Sequence, residues 1–307
     1  MLIIGDSIGN IESLSLNFKN KKKKVFIENL FSINEFPINQ IKCTKTGLIF
    51  FGSTNGTLGL YDSKKEQVIR NKEIGDTELI TYHTFKDEKI LAFYSNYMRI
   101  WKKKKNLYYF SKNKLICGKK FTHVLVNKSE SFLLTTTFFG NQIFLWSILK
   151  DRLILGGKNE LKEFIVSLKG NLNDLFTIGT HTGSIYVYSI YGHLIRTIKR
   201  DKLYKEAGKN DLQKSAAWFG ENLLFSGKSS GRIELIDLRC DKKISYLTGH
   251  SCEVSNIDVS IDKNLSNPFL VASSDISGNL KIWDMRNRKE LFFQKRFNSK
   301  VTSIGFL

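Results

Sequence analysis

A unit of about 40–50 residues recurs along this chain, and a repeat of that length built from short strands constrains the fold more than any other feature. Each copy reads as an apolar strand, a tight turn usually holding glycine, and an alternating strand ending in an aromatic or aliphatic residue. The seven copies are Leu2–Leu16, Leu48–Asp62, Ile90–Trp101, Phe132–Trp146, Leu175–Ser189, Leu223–Arg239 and Phe269–Arg286. Their turn glycines are Gly9, Gly56, Gly140, Gly183, Gly231 and Gly278, with gaps of 47, 84, 43, 48 and 47 residues. The long gap spans two units, because the third copy turns without glycine at Asn96-Tyr97. Glycine suits such a turn because a two-residue hairpin often needs positive φ, which costs glycine nothing.

The residues between the hairpins supply two further strands per unit. Lys24–Leu30 reads as an outer strand and Ile38–Thr44 as the next inner one, followed by Val68–Lys72 with Leu79–Thr84 and by Leu107–Phe110 with Phe121–Val126. Four strands in each of seven units predict an all-β, seven-bladed β-propeller occupying residues 1–307 as one domain. The sequence opens on a second strand at Leu2 and closes on an innermost strand, Val301–Leu307. Three N-terminal strands and one C-terminal strand would then share a blade, closing a complete ring and removing free sheet edges.

The segment Leu247-Thr248-Gly249-His250, Val254–Val259, Phe269–Ser274 and Asn279–Asp284 carries a Gly-His pair followed by Trp283-Asp284. It resembles the WD40-repeat family, most closely in this last full unit and elsewhere by periodicity. Tyr61-Asp62 and Ile236-Asp237 keep the Asp without the Trp, and Trp101 and Trp146 keep the Trp without the Asp. The resemblance implies structural roles for His250, Trp283 and Asp284, with one of Ser273 and Ser274 in a hydrogen-bond chain to Trp283. The family's Asp before the turn glycine is Ser277 here, so an incomplete chain is expected.

No Walker loop, nucleophile elbow, HExxH or dinucleotide fingerprint is present. The histidines His83, His123, His181, His193 and His250 show no ligand spacing, and the four cysteines form no CxxC pair. No enzymatic activity, cofactor, metal or small-molecule substrate is therefore expected. The apolar runs are strand-sized, so no membrane span is expected, and the opening Met1–Asp6 lacks a basic n-region.

The net charge of +19, from 48 Lys+Arg against 29 Asp+Glu, has two readings. A chain rich in Lys, Asn, Ile and Phe acquires such charge from coding bias alone. Alternatively, the field serves a polyanion. Placed on the repeat, many basic residues fall in connections from third to outer strands. These are Lys21, Lys22, Lys23 and Lys24; Lys64 and Lys65; Lys102, Lys103, Lys104 and Lys105; Arg239, Lys242 and Lys243; and Arg286, Arg288 and Lys289. Such connections share a face, so an arc of candidate phosphate- or acid-binding residues is expected, broken at blade five by Tyr191-Gly192-His193. The polar stretch Lys199–Asp211 lengthens one connection on the opposite face.

A further similarity, to the WD-repeat factors of large-subunit ribosome assembly, rests on Gly231 with Ile236-Asp237-Leu238-Arg239 and on the final strand. It implies a non-catalytic scaffold with protein partners and ribosomal precursor RNA, in the nucleus or nucleolus. The long insert of those factors between blades four and five is missing. Trp283-Asp284-Met285-Arg286 also resembles an adaptor-docking box, which implies the alternative of a substrate receptor for a cullin-type ubiquitin ligase. A splicing or trafficking scaffold is the third reading.

Overall fold

The computed structural model describes residues 1–17, 24–32, 36–43, 47–72, 79–84, 90–95, 97–104, 107–110, 115–116, 121–127, 129–137, 140–149, 152–170, 174–198, 211–240, 242–260, 270–285 and 290–306. Every regular element among them is a β-strand. The strands form seven antiparallel sheets in which chain neighbours are sheet neighbours, the architecture of a seven-bladed β-propeller. No helix among the described residues is long and apolar enough to cross a membrane.

Two compact units divide the chain. The first, Met1–Leu79 with Ser255–Leu307, contains blades one, two and seven. Blade one is assembled from both ends of the sequence in the order Val301–Phe306, Leu2–Asp6, Asn10–Asn17, Lys24–Ser32, as the strand count predicts. Blade two runs from Ile38–Cys43 to Gln67–Lys72, and blade seven from Val254–Ser260 to Glu290–Arg296. The second unit, Ile80–Val254, contains blades three to six, from Leu79–Thr84 through Lys242–Leu247. Blade three carries an extra short strand, Leu115–Ile116, paired with Tyr97 and Met98.

Burial follows position in the blade. Second and third strands lie between two neighbours and are covered on both faces, so Leu2–Asp6, Ile90–Tyr94 and Ile233–Asp237 are buried along their whole length. Each large aliphatic side chain so buried contributes about 1.5–3 kcal/mol. Innermost strands are half-buried, as in Ile38–Cys43, and outer strands expose apolar residues such as Phe26, Ile154 and Ile195.

The repeated turn differs from the expected two-residue hairpin. In five blades the turn spans three loop residues: Asp6 and Asn10, and Asp275 and Asn279, end their strands on either side, and the N–H groups of Ser53, Thr180 and Lys228 donate across it to the carbonyls of Thr57, Ser184 and Arg232. The third loop residue is glycine each time, with φ between 85° and 90° at Gly9, Gly56, Gly183, Gly231 and Gly278. A type I turn followed by one left-handed residue has this form, so only one glycine is needed. Blade four departs from it: its register ends at Thr136 and Ile143, and Gly140 does not adopt positive φ.

Bulges recur as regularly. The outer strand gains one unpaired residue against the third strand at Leu30, Ile69, Gly156, Ile195, Ile244 and Phe292. A bulge bends an edge strand and disrupts its pairing row, which protects the open edges of these six blades against association.

Candidate binding surface

The best-described of the proposed basic turns is in blade two. Asp62 ends the third strand, and its Oδ1 accepts hydrogen bonds from the backbone N–H groups of Lys64 (3.0 Å) and Lys65 (3.4 Å). Ser63 anchors the turn from behind, its Oγ donating to the Gly47 carbonyl at 2.7 Å. An Asp before a tight turn mimics a backbone acceptor in this way. The turn is fixed while both lysines remain exposed. Two adjacent ammonium groups on a rigid turn suit an anionic partner, with Asp62 and Glu66 nearby to moderate the local charge.

Blade six uses the same Asp differently. Asp237 Oδ1 accepts from the Arg239 backbone N–H (2.9 Å) and from Arg239 Nε (3.0 Å), and Asp237 Oδ2 accepts from Nη2 at 2.7 Å. These side-chain and backbone hydrogen bonds hold the Asp237 carboxyl down at about 2. The same bonds raise Arg239 above its ordinary value. Arg239 is exposed, yet its fork is already engaged, so it offers less to a phosphate than Lys64 or Lys65.

Several of the other basic residues are strand positions and not loop positions. Lys24 pairs with Asn17, Lys102–Lys104 pair with Tyr109, Tyr108 and Leu107, and Lys242 and Lys243 pair with Asp237 and Ile236. In blade three the strand runs three residues past Trp101, the end that periodicity indicated, because a lysine run gives no signal of where pairing stops. Lys21–Lys23, Lys105, Arg286, Arg288 and Lys289 lie outside the described residues, as do positions 199–210 of the polar stretch.

In blade five the corresponding connection is a turn with an aromatic tip. Ser189 and His193 close a three-residue turn, Gly192 takes φ 87°, and Tyr191 is 66% exposed. Its ring meets Phe132 of blade four edge-on at 5.9 Å.

Trp283 Nε1 donates to Ser273 Oγ at 2.9 Å, which selects Ser273 over Ser274. His250 and Asp284 are buried. The turn is held by Asp275, two residues before Ser277. Its Oδ1 accepts from the N–H of Ser277 and of Asn279, both at 3.0 Å, and Asn279 Nδ2 donates to Oδ2 at 2.9 Å. Blade one repeats this bond for bond: Asp6 Oδ1 accepts from Ile8 N (3.0 Å) and Asn10 N (2.8 Å), and Asn10 Nδ2 donates to Oδ2 (2.9 Å). The signal stands in the sequence as Asp-x-x-Gly-Asn at 6–10 and 275–279.

Sequence reasoning missed a buried ionic cluster in blade six. Arg232 Nη2 lies 2.9 Å from Glu234 Oε1 and 3.2 Å from Asp211 Oδ2, and Lys228 Nζ lies 3.4 Å from Glu234 Oε2. Asp211 also accepts from Ser230 N at 3.0 Å, which ties the end of the polar stretch to the blade-six turn. Burial, with Lys169 nearby, pushes the imidazole of His123 down to about 4, so it stands neutral near pH 7.

The sequence matches no protein-family model and no curated protein. Among solved structures the chain is similar to a computationally designed protein, Ika8, with a TM-score of 0.64 and 17% identity over 89% of this chain and 91% of that one. At that identity the likeness concerns the fold.

Proposed function

We propose that this propeller is a non-catalytic scaffold whose third-to-outer-strand turns hold an anionic partner within a ribonucleoprotein assembly, in nuclear or nucleolar ribosome biogenesis. The observation that carries this reading is the blade-two turn, where Asp62 rigidly presents Lys64 and Lys65 to solvent on a chain of net charge +19. Pre-ordered cations on a turn neutralise phosphates without reading sequence. The propeller fold supports a binding role, since propellers commonly serve as interaction platforms, and the similarity to ribosome-assembly factors supplies the setting.

The test is purification of the tagged protein from its own cells with and without RNase, sequencing the RNA and identifying the proteins. Precursor ribosomal RNA with assembly proteins, reduced by Lys64→Glu/Lys65→Glu, is the expected result. Recovery of ligase adaptors or splicing proteins without ribosomal precursors would overturn it.

A further inference from the structure

In blades one and seven an aspartate at the end of the second strand holds the turn into the third. In blade one its oxygens are fully used: Asp6 Oδ1 accepts from the N–H groups of Ile8 and Asn10, and Oδ2 from Asn10 Nδ2 and Ser299 Oγ. Asp6 is accordingly 4% exposed. In blade five the second strand, Leu175–Thr180, ends on a threonine, and the acid stands instead in the connection entering the blade, as Glu163. Donor and acceptor are thereby exchanged. Thr180 Oγ1 and Thr182 Oγ1 donate to Glu163 Oε2 at 2.5 and 2.6 Å.

Both short bonds fall on one oxygen, so Oε1 keeps acceptor capacity, and Glu163 is only half-buried. Burial raises its carboxyl, but the hydroxyls of Thr180, Thr182 and Tyr186 and the charge of His181 outweigh it and hold the group below its ordinary value. No lysine or arginine among the described residues pairs with it, exposed Lys162 next in the chain included. The following residue supplies an aromatic surface. Phe164 is clamped through its backbone, its N–H donating to His181 Nδ1 (3.1 Å) and its carbonyl accepting from the His181 N–H (3.0 Å). Its ring stands 5.2 Å from the His181 ring at 54°, and it remains 54% exposed. The equivalent carbonyl belongs to Lys300 in blade one, Pro37 in blade two and Leu212 in blade six, so closing a blade does not require an aromatic ring there. His181 is the common neighbour, its charge acting on Glu163 and its ring lying against Phe164.

We propose that Glu163 and Phe164 form a seat for an arginine side chain of a partner protein, its guanidinium donating to Glu163 Oε1 and lying on the open side of the Phe164 ring. A planar, weakly hydrated cation both stacks on an aromatic face and donates to a carboxylate, which an ammonium does less well. The charge that selects it is local. Glu163 is a carboxylate kept ionised by neutral hydroxyls, and cations elsewhere on the chain are screened beyond about 8 Å in physiological salt. The seat lies at the opposite end of the blade-five strands from their third-to-outer turn, so it stands or falls separately from the lysine turns.

A library of random peptides displayed on phage is depleted on the whole chain carrying Glu163→Gln and then panned against the parent chain. Glutamine keeps an oxygen for the two threonine hydroxyls, so the fold is retained. The recovered consensus is synthesised with arginine and with citrulline, which has nearly the same shape and no charge, and both peptides are titrated by fluorescence anisotropy. The expected consensus contains arginine. Citrulline in the peptide, or Glu163→Gln in the chain, should each weaken binding by about tenfold or more. Phe164→Ala, at an exposed ring, should weaken it by about threefold at an unchanged melting temperature. Lys64→Glu/Lys65→Glu should leave it unchanged. The proposal is overturned if the recovered peptides share no arginine, if citrulline replaces arginine without loss, or if Phe164→Ala binds the peptide as tightly as the parent. It also fails if the lysine-turn variant, and not the variants of the seat, abolishes binding.

Discussion

Trp283 donates its indole N–H to Ser273 two residues beyond its own cross-strand partner, Val271. Trp146 and Thr135 stand in the same relation in blade four, at 3.0 Å and two residues beyond Leu133. A third-strand Trp with a second-strand hydroxyl is thus a repeated unit that orients the ring while satisfying its donor. Ser273→Ala removes this acceptor from the buried indole N–H, which costs about 1–3 kcal/mol. Urea unfolding should show that loss, and Thr135→Ala a smaller one because that pair is partly solvated. Equal and negligible effects would remove the structural role assigned to Trp283.

The turn glycines separate into two kinds by what a side chain would meet. At Gly231, with φ 85°, a Cβ would stand 2.3 Å from the His250 carbonyl oxygen. At Gly278 it would stand 2.7 Å from that of Ser299. Both positions combine left-handed backbone with rigid backbone neighbours, so alanine at either should cost about 2 kcal/mol or more. Gly157→Ala meets nothing and should change stability by about 0.5 kcal/mol or less. Melting temperatures of the three variants test the contrast.

Much of the blade plan was legible because it rests on local signals. The second and third strands announce themselves as apolar runs, and Gly56 or Gly231 marks the turn between them. What escaped the sequence depends on pairing. A bulge at Leu30 or Gly156 is a mismatch between two strands, and neither strand alone records it. The Arg239–Asp237 clamp is two residues long and looks like any charged turn. In blade six, nothing local marks Lys228 and Glu234 as buried, and only the folded strands place Glu234 beside Arg232 and Arg232 beside Asp211.

That cluster is expected to behave as a buried network. Arg232→Ala would leave the carboxylates of Asp211 and Glu234, both nearly inaccessible, without their shared partner. Breaking a buried ion pair on one side costs about 3–5 kcal/mol. Arg232→Met combined with Asp211→Asn, Glu234→Leu and Lys228→Leu removes both charges of each sign and should recover much of that loss. Unfolding curves of the single and quadruple variants measure the difference, and a single variant as stable as the quadruple would show that the charges are solvated.

His123 gives the chain a defined response to acid. Its folded-state value is pushed down to about 4 from an ordinary 6.5, first by burial and then by the positive charge of Lys169. The folded protein therefore resists protonating a group that the unfolded chain protonates readily. The associated stability is fully present above pH 6.5 and is lost progressively as pH falls toward about 4. His123→Gln keeps a partner for Thr136, whose hydroxyl lies 3.1 Å from Nδ1, but does not titrate. Urea midpoints between pH 7 and pH 4 should therefore fall more steeply for the parent chain than for His123→Gln. Parallel slopes would mean that His123 is protonated as easily in the folded state as in the unfolded one, and that the neutral imidazole contributes nothing to the pH dependence of the fold.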